Sequence, residues 1–166
     1  QINQKCFPMV DQNNKLLPYF ILVSNITSKN PDTVIKGNER VICARLSDAA
    51  FFYGQDIKHK LNDRLSKLNS IIFQDQLGSM GDKTNRLVKL SAYIAKKLNG
   101  DVETAKRAAT LSKCDLVTDM VLEFPNLQGT MGYYYALNDH ETHACAEAIR
   151  DQYYPKFSGD ELPSTP

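Results

Sequence analysis

The feature that most constrains the fold is a helical pattern over residues 82–98. Apolar side chains recur there three and four residues apart, which places them on one face of an α-helix. They are Leu87, Leu90, Ile94 and Leu98, with Ser91 on the same stripe. Asp82 is positioned to cap the start of this helix, and Gly100 follows its end. A chain with such a segment is predicted to build its core from packed helices.

Helix signals continue on both sides of this segment. Asn30 can cap a helix that begins at Pro31, because proline suits the first helical position. Asp101 is predicted to cap another, which runs into the stretch LSKCDLVTDMVLEF and stops at Phe124 and Pro125. Two further segments, around NLQGTMGYYYALND and ETHACAEAIRDQYY, complete a predicted bundle of about six helices.

The N-terminal part has a different pattern. Two apolar runs, KCFPMV and YFILVSNI, flank the turn-forming segment DQNNKLLP, so a β-hairpin is predicted. The second run is nearly all apolar and is expected to be covered on both faces, in a sheet whose other strands lie before residue 1. The predicted fold class is mainly α, with a hairpin in residues 1–30 and a helical domain in residues 31–166.

Composition narrows the class of protein. The chain has 166 residues, 42% hydrophobic and 23% charged, enough for one core of ordinary size. Its 20 Lys and Arg against 19 Asp and Glu give a net charge of +1, so any basic surface must be local. Four widely spaced cysteines form no CxxC pair, and no apolar run approaches the roughly 18 residues of a membrane span. A soluble, cytoplasmic chain without a membrane segment is expected.

Few motifs point to catalysis. The sequence lacks GxSxG, GxxxxGK[ST] and GxGxxG, the common nucleophile and nucleotide-binding signatures. His140 and His143 in HETH lack the HExxH spacing of a zinc site and are expected at an exposed helix start. His59 is also expected to be exposed. GTMG, residues 129–132, is interpreted as close helix packing rather than a phosphate cradle.

Two groups of residues are candidates for RNA contact. The tyrosines of GYYYA, residues 132–136, have the aromatic faces that stack on bases, yet no Lys or Arg occurs between Lys113 and Arg150. Core and interface packing is therefore favoured for them. The helix over residues 83–98 instead carries a basic face that is either solvated or in contact with RNA phosphate. Its members are Arg86, Lys89, Lys96 and Lys97.

Several motifs together resemble one family. KLLPYFILVSNI, GNERV, ARLSDAAFFYGQD, FQDQLGSMGDKTNRL, KCDLVTDMVLEFPNLQGTMGYYYA and FSGDELP occur in the same order in the beta subunit of the bacterial-type glycyl-tRNA synthetase. The resemblance covers only the middle of that subunit, including most of an HD-like helical domain truncated at its C-terminus. It implies a noncatalytic module that supports recognition of tRNA(Gly) and assembly of an α2β2 heterotetramer. ATP would be used at the alpha subunit, and this part would bind no cofactor.

The same resemblance suggests a lost metal site. HD phosphohydrolases hold a metal with histidines and aspartates, and their pattern aligns Lys83 with the first His and Cys114 and Asp115 with the His-Asp pair. A protonated lysine cannot ligate a metal, so no metal is expected here. We predict that Lys83 takes the metal's electrostatic role and lies within a few ångströms of Asp115, directly or through one water. Alternatively, Asp115 binds neighbouring backbone or Lys113. An active HD phosphohydrolase and a helical interaction domain unrelated to tRNA are the competing functional hypotheses.

Overall fold

The computed structural model describes residues 6–25 and 27–163 and is mainly helical, with a short N-terminal hairpin, which confirms the predicted fold class. The chain divides into two compact units, Gln1–Ala44 and Arg45–Pro166. The predicted domain boundary after residue 30, and the HD-like character of the bundle, stay predictions. Within the described residues, no helix combines the length and the apolarity needed to cross a lipid bilayer.

The N-terminal hairpin is confirmed. Strand β1 (Cys6–Val10) pairs antiparallel with β2 (Leu16–Leu22). The Asp11 side chain fixes the turn, because its Oδ1 atom accepts hydrogen bonds from the backbone N–H groups of Asn13 and Lys15, both at 2.8 Å. The turn is therefore shorter than predicted.

Part of β2 is exposed within the described residues, and its predicted cover by strands before residue 1 stays a prediction. Leu16, Tyr19 and Ile21 are exposed, and β1 and β2 form a two-stranded sheet. The face of β2 that carries Tyr19 and Ile21 is therefore exposed, whereas Phe20 and Leu22 on the other face are half-buried.

The remaining chain is mostly helix. Helix α1 (Pro31–Asp56) begins at Pro31 as predicted. A 3-10 segment (Leu61–Ser70) leads to two short strands, which no sequence signal had predicted. The elements that follow are β3 (Ile72–Gln74), β4 (Gly78–Ser79), α2 (Met80–Lys97), α3 (Val102–Leu111), a 3-10 turn (Cys114–Val117), α4 (Asp119–Glu123), a second 3-10 turn (Pro125–Leu127), α5 (Thr130–Asn138) and α6 (His143–Asp151).

Helix α2 begins slightly earlier than predicted. Its N-cap is Ser79, whose hydroxyl accepts the backbone N–H of Asp82, while the Asp82 carboxylate accepts the backbone N–H of Ser79 at 2.8 Å. Asp82 is thus the third helical residue of a capping box, not the N-cap. An Asp near the start of a helix can be either the N-cap or the third helical residue of a capping box. The sequence prediction assigned Asp82 to the first of these positions, and the helix therefore begins earlier than predicted.

The long helix predicted from Asp101 to Phe124 is wrong. Asp101 does cap α3, accepting the N–H groups of Glu103 and Thr104, but α3 ends at Leu111. A new helix, α4, begins after Thr118, whose hydroxyl accepts the N–H of Val121 at 3.3 Å. The chain therefore changes direction within the stretch that periodicity had assigned to one helix.

The core of the second unit lies between the helices and the 3-10 segment. Its members are apolar side chains with very little exposed surface, drawn from every helix from α2 to α6. They include Leu61, Leu68, Leu111, Val121, Met131, Ala136, Ala146 and Ile149. This core fixes the positions of the polar groups described next.

Candidate functional site

Asp115 caps a helix. Its side chain is 0% exposed, and its Oδ2 atom accepts the backbone N–H of Gly129, the N-cap residue of α5, at 2.5 Å. A carboxylate is favourable there because the N–H groups at a helix start carry partial positive charge. Its other oxygen, Oδ1, has no hydrogen-bond partner among the described residues. Asp115 therefore has a structural role at the start of α5.

Burial dominates the protonation of this carboxyl group. Desolvation raises the pKa of Asp115, and the backbone N–H groups of Gly129 and Gly132 and the Lys113 ammonium only partly oppose that shift. The neighbouring thiol behaves similarly, since burial raises the pKa of Cys114 to about 12. Cys114 is thus a neutral, buried thiol at neutral pH.

The GTMG segment provides close packing, as predicted. A β-carbon at Gly132 would lie 2.6 Å from Cγ2 of Ile149 and 3.2 Å from Oδ2 of Asp115. At Gly129, φ is +79°, and a β-carbon would lie 2.7 Å from the Tyr153 ring. Both glycines are required because α5 starts directly against Asp115 and α6.

A direct ion pair between Lys83 and Asp115, one form of the prediction, is wrong, whereas a contact through one water stays a prediction. The Lys83 ammonium lies 3.9 Å from the ring centroid of Phe73, and no ion pair joins it to Asp115 in the part of the chain that the structure describes. The prediction projected Asp115 along a continuous helix from Leu111, and that helix ends at Leu111. The alternative interpretation, in which Asp115 binds neighbouring backbone, agrees with the structure.

Lys113 is the buried cation of this region. Its ammonium donates to Oε1 of Gln152 at 2.6 Å and to the Tyr153 hydroxyl at 3.1 Å. Burial and, to a smaller extent, the nearby charge of Lys83 lower the pKa of Lys113 to about 8, and Asp115 only partly opposes them. Lys83 therefore acts on Lys113 as a like charge rather than on Asp115 as a partner.

The basic face of α2 is exposed. Residues 83–100 contain five cations, Lys83, Arg86, Lys89, Lys96 and Lys97, and neither Asp nor Glu. The four predicted RNA-contact residues, Arg86, Lys89, Lys96 and Lys97, are all exposed. Within residues 6–25 and 27–163, none of these four forms an ion pair, although Arg86 is close enough to lower the pKa of Asp82. Contact with RNA stays a prediction for all four.

The histidines lie on the surface. His59, His140 and His143 are exposed, and α6 is capped by the Thr142 hydroxyl. The described residues contain no group of three or more His, Cys, Asp or Glu side chains that could hold a metal ion.

Among the tyrosines of GYYYA, Tyr135 is buried and stacks on Tyr53 with ring centroids 5.8 Å apart, whereas Tyr134 is exposed.

Sequence reasoning missed the most densely hydrogen-bonded buried group, the Asp56 carboxylate. Oδ1 accepts from Arg64 Nη2 and from the backbone N–H of Asp119, both at 3.0 Å. Oδ2 accepts from the backbone N–H of Met120 at 2.9 Å and from the Tyr135 hydroxyl at 2.8 Å. Asp56 thereby joins the end of α1, the 3-10 segment, α4 and α5.

Two signals could have found this cluster. Asp56 is a carboxylate in the last turn of α1, where the helix dipole disfavours negative charge, so it requires a partner. Arg64 recurs with Leu61 and Leu68 on one apolar face, where a lone guanidinium also requires a partner. Burial and the bond to Asp56 both raise the pKa of Tyr135, so its hydroxyl stays protonated and donates.

Comparisons with known proteins agree with one another. A family model described as glycyl-tRNA synthetase beta subunit matches residues 1–166. The glycine–tRNA ligase beta subunit of Coxiella burnetii (strain RSA 493 / Nine Mile phase I) is 58% identical over 163 residues, and that of Tolumonas auensis is 54% identical over 162 residues. The match covers 98% of this chain in both cases. The chain spans only 24% of the length of these relatives.

Proposed function

Because the chain belongs to the glycyl-tRNA synthetase beta subunit family, we propose that it is a noncatalytic segment of a glycine–tRNA ligase. It supports recognition of tRNA(Gly) and assembly with the alpha subunit, in an enzyme that attaches glycine to tRNA(Gly) using ATP. The observation that carries the RNA part of this proposal is the basic face of α2, whose four cations, Arg86, Lys89, Lys96 and Lys97, are exposed and form no ion pair within the described residues. In a chain of net charge +1, such local excess favours a phosphate partner.

Exposed apolar side chains support the assembly part of the proposal. Leu98 at the end of α2 is 75% exposed, and Leu122 on α4 is 67% exposed. Leu98 lines one groove together with Ile94, which is 46% exposed, and adjoining exposed apolar side chains are typical of surfaces that contact other protein. We infer a heterotetramer of two alpha and two beta subunits, in the cytoplasm, with ATP bound at the alpha subunit and no cofactor in this segment.

Changing Lys89, Lys96 and Lys97 together to Glu in the whole enzyme should weaken tRNA(Gly) binding and flatten its salt dependence. Each phosphate contact releases counterions, so losing three should reduce the slope of log K against log salt by about 2 to 3. Filter binding or fluorescence anisotropy at about 50–300 mM salt measures both the tRNA affinity and its salt dependence.

A charge-matched control separates local contact from net charge. Lys58, Lys67 and Lys156 are exposed and lie off α2, so changing them to Glu alters the net charge equally. Only the α2 variant should change the salt slope. Equal slopes for the two triple variants and the parent enzyme would exclude α2 as an RNA contact.

The purified 166-residue chain should catalyse no glycine-dependent exchange of pyrophosphate into ATP. Its sequence contains no nucleotide-binding signature, and its densest buried polar cluster, at Asp56, is fully used in structural hydrogen bonds. The measurement is a radiolabelled exchange assay, with the complete heterotetramer as positive control. Exchange by the isolated chain above the no-enzyme background would contradict its assignment as noncatalytic.

A further inference from the structure

Tyr93 lies in the middle of the basic face of α2 and points into solvent. Its side chain is 62% exposed, and the Lys97 ammonium, one turn further along, lies 5.7 Å from its ring centroid. Arg86 precedes Tyr93 by seven residues, which is close to two full helical turns. At 100° per residue, Arg86, Tyr93 and Lys97 therefore share one stripe along the helix.

This stripe has the composition of a single-strand RNA contact. Proteins bind unpaired nucleotides by stacking bases on exposed aromatic rings while flanking cations contact phosphate. Along the helix axis, Lys97 is about 6 Å and Arg86 about 10 Å from Tyr93, on opposite sides of it, at a rise of 1.5 Å per residue. Cations so placed can contact the phosphates on either side of a base stacked on Tyr93.

A protein partner explains the stripe less well. Tyr and Arg are common at protein–protein interfaces, but lysines are depleted there, and a protein that covered this stripe would have to supply carboxylates for the neighbouring lysines of α2 as well. The apolar residues Ile94 and Leu98 lie on a different side of α2, where with α3 and α6 they line a groove of about 610 Å³. Tyr93 does not line that groove. The aromatic ring thus lies beside the cations and outside the apolar groove.

We propose that Tyr93 is a stacking platform for an unpaired base of the bound tRNA, with Lys97 and Arg86 contacting the adjacent phosphates. This inference rests on the proposed function, because it names how the basic face of α2 contacts RNA. It concerns Tyr93 in particular, which neither the net charge nor the lysines account for.

The test uses the complete heterotetramer and a tRNA(Gly) transcript, with Tyr93→Leu and Tyr93→Phe compared. Leucine removes the aromatic face and should weaken binding about fivefold or more, with an unchanged salt slope because no charge is lost. Phenylalanine keeps the face and should bind within about twofold of the parent. Tyr134→Leu is the matched control, since Tyr134 is 53% exposed on α5, a helix without Lys or Arg.

The outcomes separate this inference from the proposed function. If the Lys89, Lys96 and Lys97 triple variant weakens binding but Tyr93→Leu does not, stacking is excluded and the RNA role of α2 remains. If neither variant changes binding, both proposals fail. If Tyr93→Leu leaves tRNA affinity unchanged but dissociates the heterotetramer during sedimentation, Tyr93 contacts protein and the inference is overturned. If Tyr93→Phe weakened tRNA binding as much as Tyr93→Leu, the hydroxyl rather than the aromatic face would be responsible, and the inference would also be overturned.

Discussion

Replacing Asp56 with alanine should lower the free energy of unfolding of this chain by about 3–5 kcal/mol, the usual cost of removing one partner of a buried ion pair. The side chains of Arg64 and Asp56 are only 7% and 1% exposed. Without the carboxylate, the Arg64 guanidinium keeps hydrogen bonds only to backbone carbonyl groups and has no compensating negative charge. The midpoint of urea unfolding, followed by circular dichroism, measures the loss.

A double-mutant cycle identifies the source of this loss. Arg64→Met removes the uncompensated charge, so the Asp56→Ala/Arg64→Met double variant should lose less stability than the two single variants summed. Part of the loss should remain, because the N–H groups of Asp119 and Met120 at the start of α4 still lack their acceptor.

The exposed ion pair between Arg45 and Glu123 provides the matched control. Its atoms are 2.9 Å apart, like those of the buried pair, but its side chains are 31% and 41% exposed. Solvent screening limits such a pair to about 0–1 kcal/mol, so Glu123→Ala should have little effect. If Asp56→Ala and Glu123→Ala were equally mild, the buried cluster would not be what joins α1 to α4 and α5.

Local signals predicted the parts of the fold that local interactions determine. The start of α1 at Pro31, the cap at Asp101 and the turn after Val10 each depend on residues within four positions of one another. Such signals can be found in the sequence because the group that satisfies a backbone N–H is only a few residues away.

The predictions that were wrong concern features that residues far apart in the sequence determine, or that continue a local pattern across a break. The start of α4 is fixed partly by Asp56, more than 60 residues earlier in the chain. The break after Leu111 separates two segments whose apolar residues continue the same helical spacing, so periodicity alone cannot find it. The expected contact between Lys83 and Asp115 inherited this error, because it used a single helix axis through residue 115.

For the candidate site, the sequence located the basic face of α2 but not its aromatic centre. The four cations were predicted from their helical spacing, and their exposure agrees with that prediction. Tyr93 was overlooked because tyrosine fits both cores and surfaces, and only burial distinguishes the exposed Tyr93 from the buried Tyr135. Spacing predicts which face a residue is on, whereas packing decides whether that face is covered.

Asp115 gives the second large effect, which appears as a dependence of stability on pH. Burial raises the pKa of Asp115 in the folded chain above its unfolded value of about 3.9. Between these two values the folded state binds more protons than the unfolded state, so Asp115 makes the chain less stable as pH rises. The free energy of unfolding should fall by at most about 1.4 kcal/mol per pH unit through this titration.

Asp115→Asn removes this titration while keeping an oxygen that can accept the N–H of Gly129. Relative to the parent chain, the variant should therefore gain stability as pH rises above about 4, and the gain should level off once the folded carboxyl group is ionised. Urea unfolding at half-unit steps of pH measures the difference. Asp115→Ala keeps no acceptor, so it should be less stable than Asp115→Asn at every pH by about 1–3 kcal/mol.

Asp101→Asn is the control, because the pKa of Asp101 is lowered in the folded chain whereas that of Asp115 is raised. The hydrogen bond from Thr104 and the backbone N–H groups at the start of α3 lower the pKa of the exposed Asp101. Its stabilising effect is complete above the unfolded pKa of about 3.9 and is lost as pH falls below it, so the Asp101→Asn difference should be flat above pH 4. If the Asp115→Asn difference were also flat there, the carboxyl group of Asp115 would ionise as readily inside the protein as in water. Its burial at the start of α5 would then carry no electrostatic cost, because Gly129, Gly132 and Lys113 together would fully compensate it.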